Sequence, residues 1–397
     1  MSLRFRLIAV LLTARMVTLS SPASAGSSDA PDQPQHALVV HEWGTFTSIA
    51  GPDGKAIEWL PLNGPSDLPC FVNRFAFNLK GTLPGTVRME TPVLYFYGPA
   101  GTAVDVNVRF QRGVVTEWFP PAAVTPSPQA VSLASLFRPD FASGIRWKGL
   151  TLQETAQESF PREEGTSHYY AARRTDASSL QSGTVREKFL FYRGIGGFQP
   201  PITASIASNG QIIVKSTNGE ALGDVVLFDN HRGAITYQVR SGLNDQAMLD
   251  LPSVKAEFSA PLSELEQILV AHGLYPKEAK AMVETWRDSW FEEGTRLFYI
   301  APRSAIDAIL PLDVNPVPAE VVRVFVGRIE ILAESRTREV ENALRNRDWV
   351  TLGLYGRFLE PMAKQILADQ TSAGRTKMES SLKKIVDSSI ASARTCK

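Results

Sequence analysis

The sequence is poor in cysteine, in charge imbalance and in long apolar runs, and each shortage excludes something. Two cysteines, Cys70 and Cys396, are all that 397 residues contain, so a zinc centre built on three or four thiolates is impossible. What the pair allows is a single disulfide, which an oxidising compartment would permit and which needs Cα atoms within about 7 Å. Basic and acidic residues balance at 41 each, which removes the electrostatic basis for binding nucleic acid or an anionic membrane. Past the N-terminus, no segment stays apolar for the roughly 20 residues that a bilayer requires. Catalytic signatures are missing as well. No Gly-x-Ser-x-Gly nucleophile elbow occurs. Thr45 stands where a His-Glu-x-x-His zinc helix starting at His41 would need its second histidine. Arg193-Gly194-Ile195-Gly196-Gly197 lacks the Lys-Ser/Thr of a phosphate loop and reads as a tight turn after a strand.

What is present begins with a secretory pattern. Arg4 and Arg6 precede an apolar run from Leu7 to Ala14, and Ser21-Pro22-Ala23-Ser24-Ala25 ends in the small residues of a cleavage site. These three parts predict a signal peptide over 1–25, with a periplasmic or secreted product. Cleavage would remove Arg4, Arg6 and Arg15 and no acid, three of the 41 basic residues, for a mature net charge of −3. Residues 26–37 are polar and proline-rich and read as a flexible leader.

From Leu38 to about residue 260 the hydrophobic period is mostly two, and the joints carry turn chemistry. Pro52-Asp53-Gly54, Ser208-Asn209-Gly210 and Asn230-His231-Arg232-Gly233 each put glycine where a positive φ is expected. Many short strands joined this way predict an antiparallel β-sandwich-like domain over 38–260. After Pro261 the period becomes helical. Leu262, Leu265, Ile268 and Leu269 form a stripe that ends at His272-Gly273, and Pro276 opens a second helix. A short β interlude falls at about 296–326, and further helices are expected from about Arg328 to Arg347, Phe358 to Asp369 and Lys377 to Ala393. The fold class is therefore α+β: a β-sandwich-like N-terminal domain with a mostly helical region over 261–397, the boundary softened by the interlude.

Four segments stand out: His41-Glu42-Trp43-Gly44-Thr45-Phe46-Thr47, Met89-Glu90-Thr91-Pro92-Val93-Leu94-Tyr95-Phe96-Tyr97, Leu190-Phe191-Tyr192-Arg193-Gly194 and Trp286-Arg287-Asp288-Ser289-Trp290-Phe291-Glu292. Together they resemble a family of uncharacterised exported bacterial proteins, over most of residues 38–330. The resemblance implies export, and no activity, cofactor or catalytic residue.

Chemistry has few candidates. His41 and Glu42 could share a proton or ligate a metal. On a strand, however, neighbours face opposite ways, so both line one site only if a bulge intervenes, for which Gly44 is a marker. Glu90, Glu117 and Glu187 lie in or beside apolar strands and could supply the carboxylate pair of a glycosidase. Arg88, Arg193, Trp118 and Tyr97, with Trp43 and Trp59, are candidate ligand-binding residues. No cofactor is predicted; a divalent metal would need three or four ligands from His41, His168, His231, His272 and the acids. On the 284–293 helix, Trp286 and Trp290 share the face expected to pack on the β part. Glu284, Asp288 and Glu292 form an acidic row that calls for compensation by Arg287, Lys280 or a cation. The leading expectation is a non-catalytic envelope protein that binds a saccharide, peptide or protein partner. The alternative is an envelope hydrolase acting on glycan or peptide through His41, Glu42 and Glu90.

Overall fold

A computed structural model describes residues 37–391, apart from 62–67, 76–82, 84, 128–137, 139, 155–158, 166, 369 and 371. The expected signal peptide, most of the leader, and Cys396 lie outside the described residues. The protein is α+β, with large antiparallel sheets in its N-terminal part and helices in its C-terminal part.

The frame is a nine-stranded sheet. In spatial order it holds β14 (Ala234–Leu243), β13 (Gly223–His231), β16 (Gly294–Ile300), β18 (Glu320–Ile331), β1 (Val39–Ala50), β3 (Val87–Tyr97), β10 (Leu190–Gly196), β5 (Gly113–Phe119) and β2 (Asn73–Arg74). Neighbours are antiparallel except β1 and β18, which run parallel. One face packs against two smaller sheets. The first joins β17 (Leu312–Asn315), β4 (Ala103–Phe110), β7 (Ser143–Gln153), β8 (Ser179–Ser182) and β9 (Val185–Glu187), with β6 (Ala123–Thr125) on β7. The second joins β11 (Ile202–Ile206), β12 (Ile212–Ser216) and β15 (Gln246–Leu249). Between them lies a core that includes Phe46, Leu94, Phe96, Val106, Trp147, Ile212 and Phe325. This is the expected sandwich.

The opposite face of the large sheet is covered by helices α1 (Ser259–Ala271) and α2 (Pro276–Trp290) and a 3-10 turn over His168–Arg173. Their core joins Trp43, Phe191, Phe228, Phe298 and Val324 to Leu265, Met282, Trp286 and Trp290. The two tryptophans of α2 thus face the sheet, as their spacing indicated. With both faces covered, β1 has all twelve residues buried, which is why its sequence is apolar without clean alternation.

The boundary near residue 260 is soft, as the β interlude indicated: β16 and β18 from the later region sit in the middle of the large sheet. The described residues form one compact unit. One sequence expectation changes here, because the helix expected from Arg328 begins later. Residues up to Ile331 extend β18, and α4 (Glu334–Asn346) follows it. Periodicity failed there because β18 is covered on both faces and carries buried Arg328 and Glu330, which mimic the polar positions of a helix. Before it, α3 (Arg303–Ile309) connects β16 to β17. After it, α5 (Trp349–Leu354), a 3-10 turn over Gly356–Phe358, α6 (Leu359–Ala368) and α7 (Ser372–Ala391) pack on their own core around Leu344, Leu352 and Met362.

Across the sheet, irregularities line up. The register of β1 on β3 shifts between Trp43 and Thr45, that of β10 on β3 between Phe191 and Gly194, and that of β10 on β5 between Arg193 and Gly194. The extra residue opposite Gly44 belongs to β3, where Thr91 has φ 50°. That left-handed conformation costs a β-branched residue roughly 1–2 kcal/mol. It also inverts the strand: Val87 and Met89 face the sandwich before it, Leu94 and Phe96 after it. Strand β1 keeps its alternation throughout. Gly44 itself is required by close approach, since a Cβ there would lie 2.6 Å from the Phe325 ring.

Candidate functional site

Because β1 is not inverted, His41 and Glu42 face opposite ways. His41 points to the helical side, where Nδ1 lies 2.8 Å from Glu278 Oε2 and the ring packs on Tyr97 and Tyr275. The Tyr97 hydroxyl donates to the other oxygen of Glu278 at 2.7 Å, and burial, then the Glu278 charge, push that phenol up. Glu42 points into the sandwich. It accepts from the Tyr192 hydroxyl and from Arg323 Nε, and Arg323 reaches on to Asp307 at 2.7 Å. Burial above all, with the Glu42 charge next, raises the Tyr192 phenol well above its ordinary value. The two candidates form two separate centres.

Glu90 belongs to a third, at the aligned bulges. Thr47 Oγ1 donates to it at 2.8 Å, and Arg357 Nη1 donates at 2.8 Å. Arg357 also holds Glu292 at 3.0 Å, Arg328 holds Glu292 at 2.8 Å, and Arg296 holds Glu330 at 2.9 Å. Arg328 is pushed down to about 9, first by burial and then by repulsion from Arg296 and Arg357. Burial likewise raises Glu330 against the pull of Arg296 and Arg328. Glu292 goes the other way: burial raises it, but Arg357, Arg328 and Arg296 together outweigh that and hold it below its ordinary value. Buried ionic groups survive only when paired in this manner.

The remaining candidates are dispersed. Arg88 donates to the carbonyls of Trp59 at 2.7 Å and Leu83 at 2.8 Å and stacks on the Trp59 ring, and burial lowers it to about 10. Arg193 donates to Thr91 Oγ1. Trp118 fills the sandwich core. Glu117 accepts from Thr116, and Glu187 is held by Arg173 and Tyr169. The expected acidic row, whose last member Glu292 lies just past the end of α2, is compensated from outside the helix: Glu284 by Arg174, Asp288 by His168, Glu292 by Arg328 and Arg357. His231 and His272 pair with Glu293 and Asp224. Cys70 is disulfide-bonded; Cys396, the other half of the expected bridge, is outside the described residues. Among the described residues no group of three or more His, Cys, Asp or Glu forms a potential metal site, and no helix is long and apolar enough to cross a membrane.

Sequence reasoning missed Glu278, Arg323, Arg328 and Arg357. Glu278 had a local signal, because proline at the first helical position with glutamate two residues later marks a helix start. The arginines had none, since each is recognised only by the carboxylate that the fold brings to it. What the structure adds is convergence. Thr45 and Thr47, Glu90 and Thr91, Arg193, and Trp286, Ser289 and Glu292 come from the four distinctive segments, and they meet where β1, β3 and β10 lie under the end of α2. Arg357 ties the group together, reaching Glu90, Glu292 and the Ser289 carbonyl. Compared with known proteins, the chain matches no family model and no curated relative.

Proposed function

We propose that this is an exported envelope protein, related to the exported bacterial proteins that its four segments resemble, and that it binds a saccharide, peptide or protein partner without catalysing a reaction. One observation carries this reading: the three candidates for acid–base work are buried and committed to partners of their own. His41, Glu42 and Glu90 are 1%, 0% and 4% exposed, and each is held by its own partners in its own centre. A general acid or base must come within hydrogen-bond reach of a substrate proton, and these side chains present none of their capacity to an open cleft. The hydrolase reading has one feature on its side, His41 Nε2, which has no partner among the described residues. That nitrogen is itself buried, and the ring lies against Tyr97 and Tyr275.

The test is thermal unfolding of residues 26–397 against envelope saccharides, short peptides and divalent metals. A ligand at 100 times its dissociation constant adds about 2.7 kcal/mol of stability, so a binder of the right class stands clear of the rest. The expected result is a shift with a saccharide or peptide and no turnover of it. Hydrolysis of a glycan or peptide by the wild type, abolished in a folded His41→Ala variant, would overturn the proposal.

A further inference from the structure

Where β1, β3 and β10 lie under the end of α2, Arg193 is a buried cation that no carboxylate among the described residues neutralises. It is 3% exposed, and its guanidinium donates to the Thr91 hydroxyl, from Nε at 3.2 Å and Nη2 at 3.1 Å. It forms no ion pair with the described residues. Glu117 stands opposite it on β5 by register, but that carboxylate takes the Thr116 hydroxyl instead. Its charge is met by the ring faces of Phe191 and Trp286, 5.5 and 5.9 Å away, and a buried charge without a counter-ion costs several kcal/mol. The neighbouring carboxylates, Glu90 and Glu292, are already held by Arg357.

Three buried groups on neighbouring elements, Trp286 Nε1 and Trp290 Nε1 on α2 and Thr45 Oγ1 on β1, have no hydrogen-bond partner among the described residues. Arg193 Cζ lies 5.9 Å from the Trp286 ring, whose centre is 6.5 Å from that of Trp290. Thr45 is the register partner of Glu90, the residue before Thr91. Indole and guanidinium groups only donate, and a hydroxyl can do so. A cation would find no free acceptor among the two indoles and the guanidinium, whereas an anion would satisfy donors and charge together. The strained Thr91, which fixes the guanidinium, sits where irregular backbone tends to mark a functional site.

We propose that Arg193, Trp286, Trp290 and Thr45 form a buried site for one small anionic group bearing acceptor oxygens, either a free oxyanion or the carboxylate of a larger ligand. This proposal does not rest on the partner reading above. It is tested by thermal unfolding of residues 26–397 refolded with phosphate, sulfate, acetate or glucuronate, each against chloride at equal ionic strength so that screening cancels. The wild type is expected to gain stability with at least one of the four. Phosphate or sulfate would indicate a free oxyanion, and acetate or glucuronate alone would indicate a carboxylate. Trp290→Phe, which removes one donor and keeps a smaller aromatic ring in its place, should weaken the apparent affinity about tenfold. Arg193→Gln should abolish the effect; if it does not fold, Arg193→Lys, which keeps charge and loses the planar fork, should weaken it. No gain in the wild type with any of the four, or a gain unchanged in the Arg193 and Trp290 variants, would overturn the site.

Discussion

Single residues in this protein are chosen for what they neutralise. Arg323 answers Glu42, Arg296 answers Glu330, and Arg357 answers both Glu90 and Glu292. Such pairs add little net stability against an apolar substitute, but removing one partner strands the other and costs about 3–5 kcal/mol. Glu292 gives the sharpest test. Its folded-state pKa lies below the ordinary 4.5, so its contribution is complete above that value and is lost as pH falls through the folded value. Glu330, raised by burial, has the opposite sign and favours the folded state at low pH. Glu292→Gln should therefore lower stability by about 3 kcal/mol at neutral pH. The gap from wild type should close as pH drops below 4.5. Urea midpoints from neutral to acid pH measure this, and a gap that stays constant would show that the charge of Glu292 is not what matters.

Helix α2 organises the next level. Pro276 occupies its first turn without losing a needed N–H, and Glu278 accepts the Tyr275 backbone N–H at 2.9 Å. The same carboxylate takes His41 and Tyr97 from β1 and β3, so one residue both starts the helix and fixes it to the sheet. At its other end Trp286 and Trp290 enter the core, and Ser289 and Glu292 receive Arg357. Glu278→Ala should cost at least about 2 kcal/mol, because a helix cap and two buried side-chain hydrogen bonds go together. His41→Ala removes only one of these bonds and should cost less. Chemical denaturation of the two variants ranks them, and the reverse order would mean that His41 has a role beyond anchoring Glu278.

At the scale of the molecule, the large sheet is closed by strands from opposite ends of the chain. Strand β1 lies between β3 and β18, and β16 links β18 to the β13–β14 hairpin. A fragment of residues 38–260 would lack β16, β18, α1 and α2, leaving that hairpin detached and Trp43, Phe191 and Phe228 uncovered. It should show no cooperative unfolding and should bind hydrophobic dyes. A fragment that melts with the cooperativity of the full chain would establish an independent N-terminal domain. The strands of the sandwich, the α1 and α2 helices and the inward face of Trp286 and Trp290 were legible in the sequence, because period two, period 3.6 and turn residues are local signals. The opposite facing of His41 and Glu42 was legible too, for strand geometry alone dictates it. Three things were decided only by tertiary structure: that β18 is a central strand continuing to Ile331, that the bulge sits on β3 at Thr91 and not on β1 at Gly44, and that Arg357 completes the Glu90 centre. Each depends on partners between about 40 and 280 positions away along the chain. A sequence pattern records which face a residue prefers, and the identity of what it meets there is fixed only when the chain closes on itself.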